Sequence, residues 1–520
     1  MSIGTSELVP SWTKPGSWSL GRDPLGIQAT SVRMYRTLVP GLTNVTNRLR
    51  YYSYYCWVVA LWAKIRHADD ELEWRLFIRR AEALYALACE SFEADTRGLA
   101  GSEWARQHWA ELADTKIDLR PHTNRPGESG QYLKAKRGNF GQFYVASMLD
   151  VRLLGDSKRI PIVAKAGQDL ADAFAASIGE PLARQLAAAV NSGELSKVAL
   201  VKIGKAIHPS RLNGNSREMK LLRSFLWPKT SEVPGSEARK TSAWLLLDLA
   251  RKGVSIFDET ALRRAFYQRR LPDGRVYMAE GTIIDRWRAF HANELCHIAL
   301  EALLNGMTSA LMRQVEGIEP AKLVNDLVKA SIPSNERKIP WAEWAVAATG
   351  GLPDAEDALS NEVLDGLKRF GERAEDPKVL LAAAKLLGIL WNRWNSVEQH
   401  VKIEIARYSV RSGTSLSGVL FTLKDAGTQT ITEALAAVVR RHVIAEHLVI
   451  AGRKIALSGK YTYRFVIEDG VLSDGVVAEY GYTNPRLRNL ATFLTDAKLV
   501  DVAGRITPKG LGLLNEFQPA

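Results

Sequence analysis

The twenty residues from Asp285 to Leu304 (DRWRAFHANELCHIALEALL) contain neither glycine nor proline and keep a helical period throughout. A chain that commits so long a run to one helix must build its core from helix faces, and much of the remaining sequence agrees. The pattern turns helical at Thr30, breaks at Pro40-Gly41 and resumes at Thr43. Val45, Leu49, Tyr52, Cys56 and Val59 then recur at steps of three and four, which predicts one apolar face. Thr43 or Asn44 offers a side-chain oxygen to cap that helix. Helical periodicity continues over residues 68–115 and again over 166–315, with breaks at His208–Ser216 and Pro228–Gly235. The expectation is a mainly α, multidomain helical protein.

Two breaker-rich stretches suggest boundaries. Residues 118–165 hold Pro121, Pro126, Gly127, Gly130, Gly138 and Gly141, and residues 332–357 form a second Pro/Gly-rich gap. Four segments follow: an N-terminal helical domain at 1–120, opening with an aromatic arm over 1–28; a basic, mostly helical central domain at 121–335; a helical domain at 336–425; and a small α+β module at 426–520. In the last, Tyr461–Leu472 alternates polar and apolar residues around Asp469-Gly470, a hairpin turn signal. Asn484-Pro485 predicts a helix over 485–498. Leu499–Thr507 predicts a short hairpin turning at Ala503-Gly504.

Charge is divided unevenly. Of 69 Lys+Arg and 57 Asp+Glu, residues 1–280 hold 41 and 29, whereas residues 281–520 hold 28 of each. The whole excess of +12 therefore lies in the first part of the chain and favours a polyanionic partner. With 46% hydrophobic residues, intrinsic disorder is excluded for the bulk of the 520-residue sequence. Three isolated cysteines, Cys56, Cys89 and Cys296, lack zinc-ligand spacing and fit a reducing cytoplasm. The first residues lack a signal-peptide pattern, and the longest apolar run, Trp57–Ala63, falls short of the ~18–20 residues of a spanning helix. A soluble, cytoplasmic protein of bacterial style is expected, with no membrane partner.

The sharpest basic patch is Lys202, Lys205, Arg211, Arg217, Lys220 and Arg223, faced only by Glu218. Its turn, Asn213-Gly214-Asn215-Ser216, suits phosphate contact through backbone N–H groups; a solvated helix face is the alternative. Lys134, Lys136 and Arg137 form a smaller patch among Tyr132, Phe140, Phe143 and Tyr144, aromatics that either stack unpaired bases or belong to the core. A further run holds Arg263, Arg264, Arg269, Arg270 and Arg275.

Catalytic patterns are sparse. His291, Glu294, His297 and Glu301 share one face of the long helix, half of a di-iron arrangement whose second Glu-x-x-His is missing, so a polar face with internal contacts is expected and no metal or cofactor is assigned. Glu218-Met219-Lys220 matches half of a nuclease metal site, but in helical rather than strand context. Gly459-Lys460 has the wrong spacing for a phosphate loop. No residue set names a reaction.

Two resemblances add context. PRLRNLATFLTDAKLVDVAGRITPKGLGLL resembles the second half of a winged helix of bacterial regulators, which implies phosphate contacts from Arg486, Arg488, Lys498, Arg505 and Lys509, or a module used for protein contacts. At the N-terminus, Leu25-Gly26-Ile27, Pro40-Gly41-Leu42-Thr43 and Thr46-x-Arg48-x-Arg50-Tyr51 resemble uncharacterised bacterial proteins of phage-defence islands and mobile elements. For Arg48 and Arg50, two apart and on different helix faces, ion pairing or phosphate binding is the expected use. The function expected is that of a non-catalytic DNA-binding component of an antiphage-defence or mobile-element multiprotein system, acting with proteins encoded in the same operon. The alternatives are a scaffold or sensor subunit that binds proteins only, and a metal-dependent enzyme with an unrecognised site.

Overall fold

Long stretches without breakers, joined by short Pro/Gly-rich turns, fold as helices. The structure, a computed structural model, describes residues 22–43, 45–65, 70–92, 98–110, 116–155, 159–229, 235–279, 281–349, 355–370, 376–395, 402 and 414–517. It is mainly helical, and its sheets among these residues are two-stranded antiparallel pairs. No helix among them is long and apolar enough to cross a membrane. The predicted aromatic arm lies mostly outside the described residues.

Contacts divide the chain into two discontinuous units, one of residues 1–33 and 288–483, the other of residues 34–287 and 484–520. The divisions at 33/34 and 287/288 fall inside the helices Ile27–Leu38 and Thr282–Leu311. The second unit carries 44 Lys+Arg against 31 Asp+Glu, a net +13, and the first carries 25 against 26.

In the basic unit the central helix is Arg50–Ile65. It begins at Arg50 and not at Thr43, because Thr43 enters a local turn instead: its N–H donates to Thr46 Oγ1 at 2.9 Å. Asn44 lies outside the described residues. Nor does the helix show a single apolar face. Tyr51 to Val59 are all buried, since the helix packs against Lys165–Ile178 and Glu71–Glu90 while its tyrosine hydroxyls find hydrogen-bond partners inside the core. Tyr54 donates to the Ala81 carbonyl at 2.6 Å and Tyr52 to that of Gly41 at 2.7 Å. Asp70 caps Glu71–Glu90 by accepting from Leu72 and Glu73 N–H. That helix crosses Lys197–Ile207 so closely that a Cβ on Gly204 would lie 2.0 Å from the Ala88 carbonyl oxygen.

Residues 484–517 complete this unit. The predicted 485–498 helix is shortened to Leu487–Asp496 because Asn484 Oδ1 takes the Arg486 N–H at 2.7 Å and Arg486 adopts a left-handed conformation. The following hairpin is reduced to one bridge, Val500 with Ile506, and Thr507 caps a last helix, Pro508–Asn515.

In the other unit, Pro320–Ser331, Trp341–Thr349 and Ala355–Phe370 each pack on Pro377–Asn395. Ile431–Val438 opens with a reciprocal Thr430/Glu433 capping box and runs through a π-helical stretch, Val439–Ala445, into Glu446–Ser458. Gly459, at φ 65°, ends that helix as a C-cap. The Val466–Glu468 and Val471–Ser473 strands pair around Asp469 and Gly470, both at positive φ, as an Asp-Gly turn requires.

Candidate functional site

The two arginines of the N-terminal motif build the basic unit from within. Arg50, 1% exposed, bonds Glu218 through Nε and Nη2, each at 3.1 Å, and gives Nη1 to the carbonyls of Ala206 and His208. Glu218 also accepts from Ser53 Oγ at 2.6 Å. Arg48 makes a second two-pronged pair with Asp496, at 3.1 and 2.9 Å, and Asp496 further accepts the Leu49 N–H. Both carboxylates are occupied by these partners, and Glu218 sits on the helix Arg217–Leu226, not on a strand.

The predicted nucleic-acid-binding residues all belong to this unit, and the structure separates them by side-chain type. Apart from Arg488, the arginines are engaged by groups of the protein itself. Arg223 is buried and donates to the carbonyls of Ala497 and Gly214, each at 2.8 Å. Arg486 is buried over the Tyr35 ring and donates to the Leu42 carbonyl. Neither faces a phosphate: the Arg223 guanidinium is divided between two carbonyls, and that of Arg486 is held between one carbonyl and an aromatic ring. Arg137 pairs with Glu71, Arg217 with Asp169 at 3.2 Å and Arg505 with Asp501 at 2.8 Å, while Arg211 lies 4.6 Å from the Phe92 ring centroid. Of the other basic run, Arg263 is buried, Arg269 pairs with Asp285 and Arg275 with Asp273.

The lysines face outward. Lys134, Lys136, Lys202, Lys205, Lys220 and Lys509, together with Arg488, are exposed and form no ion pair among the described residues. Arg79 explains the first two. Its buried guanidinium gathers the carbonyls of Thr123, Tyr132, Leu133 and Ala135, which turns the side chains of Lys134 and Lys136 to solvent. The nearby aromatics are core: Tyr132, Phe140 and Tyr144 are at most 2% exposed, and Phe143 is half-buried. In the 213–216 turn, Asn215 N–H is taken by Asn213 Oδ1 and Ser216 N–H by the Asn213 carbonyl, so these donors are engaged internally.

The other unit holds a buried polar cluster on the Thr282–Leu311 helix. His291, Glu294, His297 and Glu301 are all at most 5% exposed. His297 stands between two carboxylates, Nε2 at 3.1 Å from Glu301 Oε1 and Nδ1 at 3.7 Å from Glu294 Oε2. Burial opposes its protonation, but Glu301 and Glu294 outweigh burial and hold the imidazole well above its ordinary pKa. Glu294 also accepts from Ser31 Oγ and from the Thr483 N–H. Among the described residues no three His, Cys, Asp or Glu side chains converge as metal ligands.

Glu301 reaches a cleft of about 640 Å³ that Arg22, Asp23, Gln28, Arg464 and the strap Val477–Tyr482 also line. Asn305 holds the strap by taking the Ala478 N–H on Oδ1 at 3.3 Å and donating Nδ2 to the Ala478 carbonyl at 2.7 Å. The same Oδ1 accepts Arg464 Nη1 at 3.3 Å. Arg464 N–H donates to His447 Nε2 at 2.8 Å, and burial lowers that imidazole to about 4, so it stays neutral. Lys454 fixes the backbone carbonyls of Arg22 and Asp23 at 2.6 and 2.9 Å. Burial raises the Asp23 carboxyl, with His297 pulling it back down. Of these groups the sequence pointed only to the Glu294–Glu301 face. Asp23, Asn305, Lys454 and Arg464 are dispersed over the chain, and no local pattern links them.

No protein-family model matches this chain, and comparison with curated proteins and with solved structures returns no match.

Proposed function

We propose that the chain is a non-catalytic DNA-binding component of a bacterial antiphage-defence or mobile-element system, with the basic unit as its DNA-contacting body. One observation carries this reading: the net +13 unit presents exposed lysines that form no ion pair among the described residues, while most of its arginines are bound to its own carboxylates and carbonyls. Exposed ammonium groups on flexible stems neutralise phosphates without needing a fixed geometry, which suits contact with a backbone and not with a base. The winged-helix-like segment adds to the same surface charge. On Leu487–Asp496, Leu487, Leu490, Ala491 and Leu494 are buried, whereas Arg488 and Thr492 share the exposed side; Lys498 and Lys509 follow, also exposed. The setting comes from the N-terminal stretch and its likeness to proteins of defence islands.

Each neutralised phosphate releases counterions, so affinity for a duplex should fall steeply with salt. With about six contacts the slope of log affinity against log salt would be roughly −5. Fluorescence anisotropy of a labelled duplex across a salt series measures it. Replacing Lys202, Lys205 and Lys220 together with glutamate should lower the slope by about 3. A duplex that is not retained at low salt, or an affinity indifferent to salt, would sink the proposal.

A further inference from the structure

The cleft in the unit of residues 1–33 and 288–483 lies outside the basic unit to which DNA contact is assigned above, and its lining mixes charges of both signs. Arg464 borders it at 3% exposure, and its Nε–H has no partner among the described residues. A buried donor left open in this way lacks an acceptor that a ligand can bring. On the same cleft stand two carboxylates: Asp23, whose oxygens each take one backbone N–H, from Gln28 and Ala29, at 3.1 Å, and Glu301, with Oε1 at 3.1 Å from His297 Nε2. A polyanion such as a nucleoside triphosphate would meet these carboxylates and that of Glu479. A simple cation would meet the guanidinium groups of Arg464 and Arg22. A molecule with both charges, held apart, satisfies each end.

We propose that this cleft binds a small zwitterion of the amino-acid or short-peptide class, its carboxylate on Arg464 Nε and its ammonium between Asp23 and Glu301. The volume of about 640 Å³ admits a short peptide as readily as a single residue. Tyr480 and Tyr482 on the strap supply apolar surface for a side chain. The site stands or falls separately from the DNA reading, because no residue in it lies in the basic unit.

The test uses the full-length chain with a panel of free α-amino acids and dipeptides at millimolar concentration, read by thermal shift and by isothermal titration calorimetry. At least one member should raise the melting temperature and give a saturable heat. Its N-acetylated, C-amidated form, which lacks both charges, should lose that binding; this comparison needs no variant. Arg464→Lys keeps the positive charge but removes the Nε donor, and should weaken binding by about ten- to a hundredfold while circular dichroism stays unchanged. The proposal is overturned if no zwitterion binds, if the capped compound binds equally well, or if a nucleotide such as AMP binds where the zwitterions do not.

Discussion

At the scale of single residues, the basic unit depends on charges removed from water and paired. Arg50 satisfies Glu218 twice and two carbonyls besides, at 1% exposure. Removing one partner leaves the other charge buried, a loss of about 3–5 kcal/mol. Arg50→Ala should therefore destabilise the unit by about that much in urea unfolding, and Arg50→Ala with Glu218→Ala should cost less than the two single losses added. Glu82 gives a different signature. It is buried, accepts from the Asn139 and Phe140 N–H groups and from Tyr55, and burial raises it from 4.5 to about 7 against those bonds. Between pH 4.5 and 7 the unfolded chain has released this proton while the folded chain still holds it, so stability falls as pH rises through that window and levels off above it. Compared with Glu82→Gln, which cannot ionise, the wild type should lose about 2–3 kcal/mol between pH 5 and pH 8. Urea midpoints of the two proteins at both pH values measure it, and a constant gap would mean that Glu82 titrates as an ordinary carboxylate.

At the scale of elements, the sequence was most legible where local chemistry decides. The Asp469-Gly470 turn, the helix around Asp285–Leu304 and the break at Pro40-Gly41 are each set by a few adjacent residues, and each is present. It was least legible where distant partners decide. Nothing in PRLRNL announces that Arg486 will leave the helix for Tyr35 and the Leu42 carbonyl, and nothing in the tyrosine run announces that its helix is enclosed on every side. The cleft is a further case, since Asp23, Glu301 and Arg464 come from three separate stretches. Gly204 shows how such packing sets which side chains face solvent. It lies between Lys202 and Lys205, facing Ala88, while both lysines face solvent. A methyl group there would push the Lys197–Ile207 helix away from Glu71–Glu90. Gly204→Ala should cost about 1–3 kcal/mol, the range for overpacking a tight contact. A thermal melt that leaves Gly204→Ala unchanged would show that the crossing can relax without loss.

At the scale of the whole molecule, the division of charge is sharper in space than along the chain. Along the chain, residues 484–520, with Arg488, Lys498 and Lys509, belong to the neutral stretch 281–520. In the fold they complete the unit that carries the entire positive excess, fastened through Arg48 to Asp496 and Arg223 to the Ala497 carbonyl. The helical segment with exposed basic residues and the basic body are therefore parts of one unit, a relation hidden from the sequence because 484 follows 287 only in three dimensions. One consequence can be measured without altering a residue. A ligand that binds only the native state stabilises it by about 2.7 kcal/mol at a hundredfold excess over its Kd, equivalent to roughly hundredfold slower exchange of amides that open with the unit. Hydrogen–deuterium exchange at low salt, with and without a duplex, should show this slowing in peptides covering 197–226 and 487–515. Peptides from 320–395, in the unit of net charge −1, should exchange at the same rate in both samples. Equal slowing in both sets would move the DNA contact away from the basic unit, and slowing confined to 320–395 would reverse the assignment.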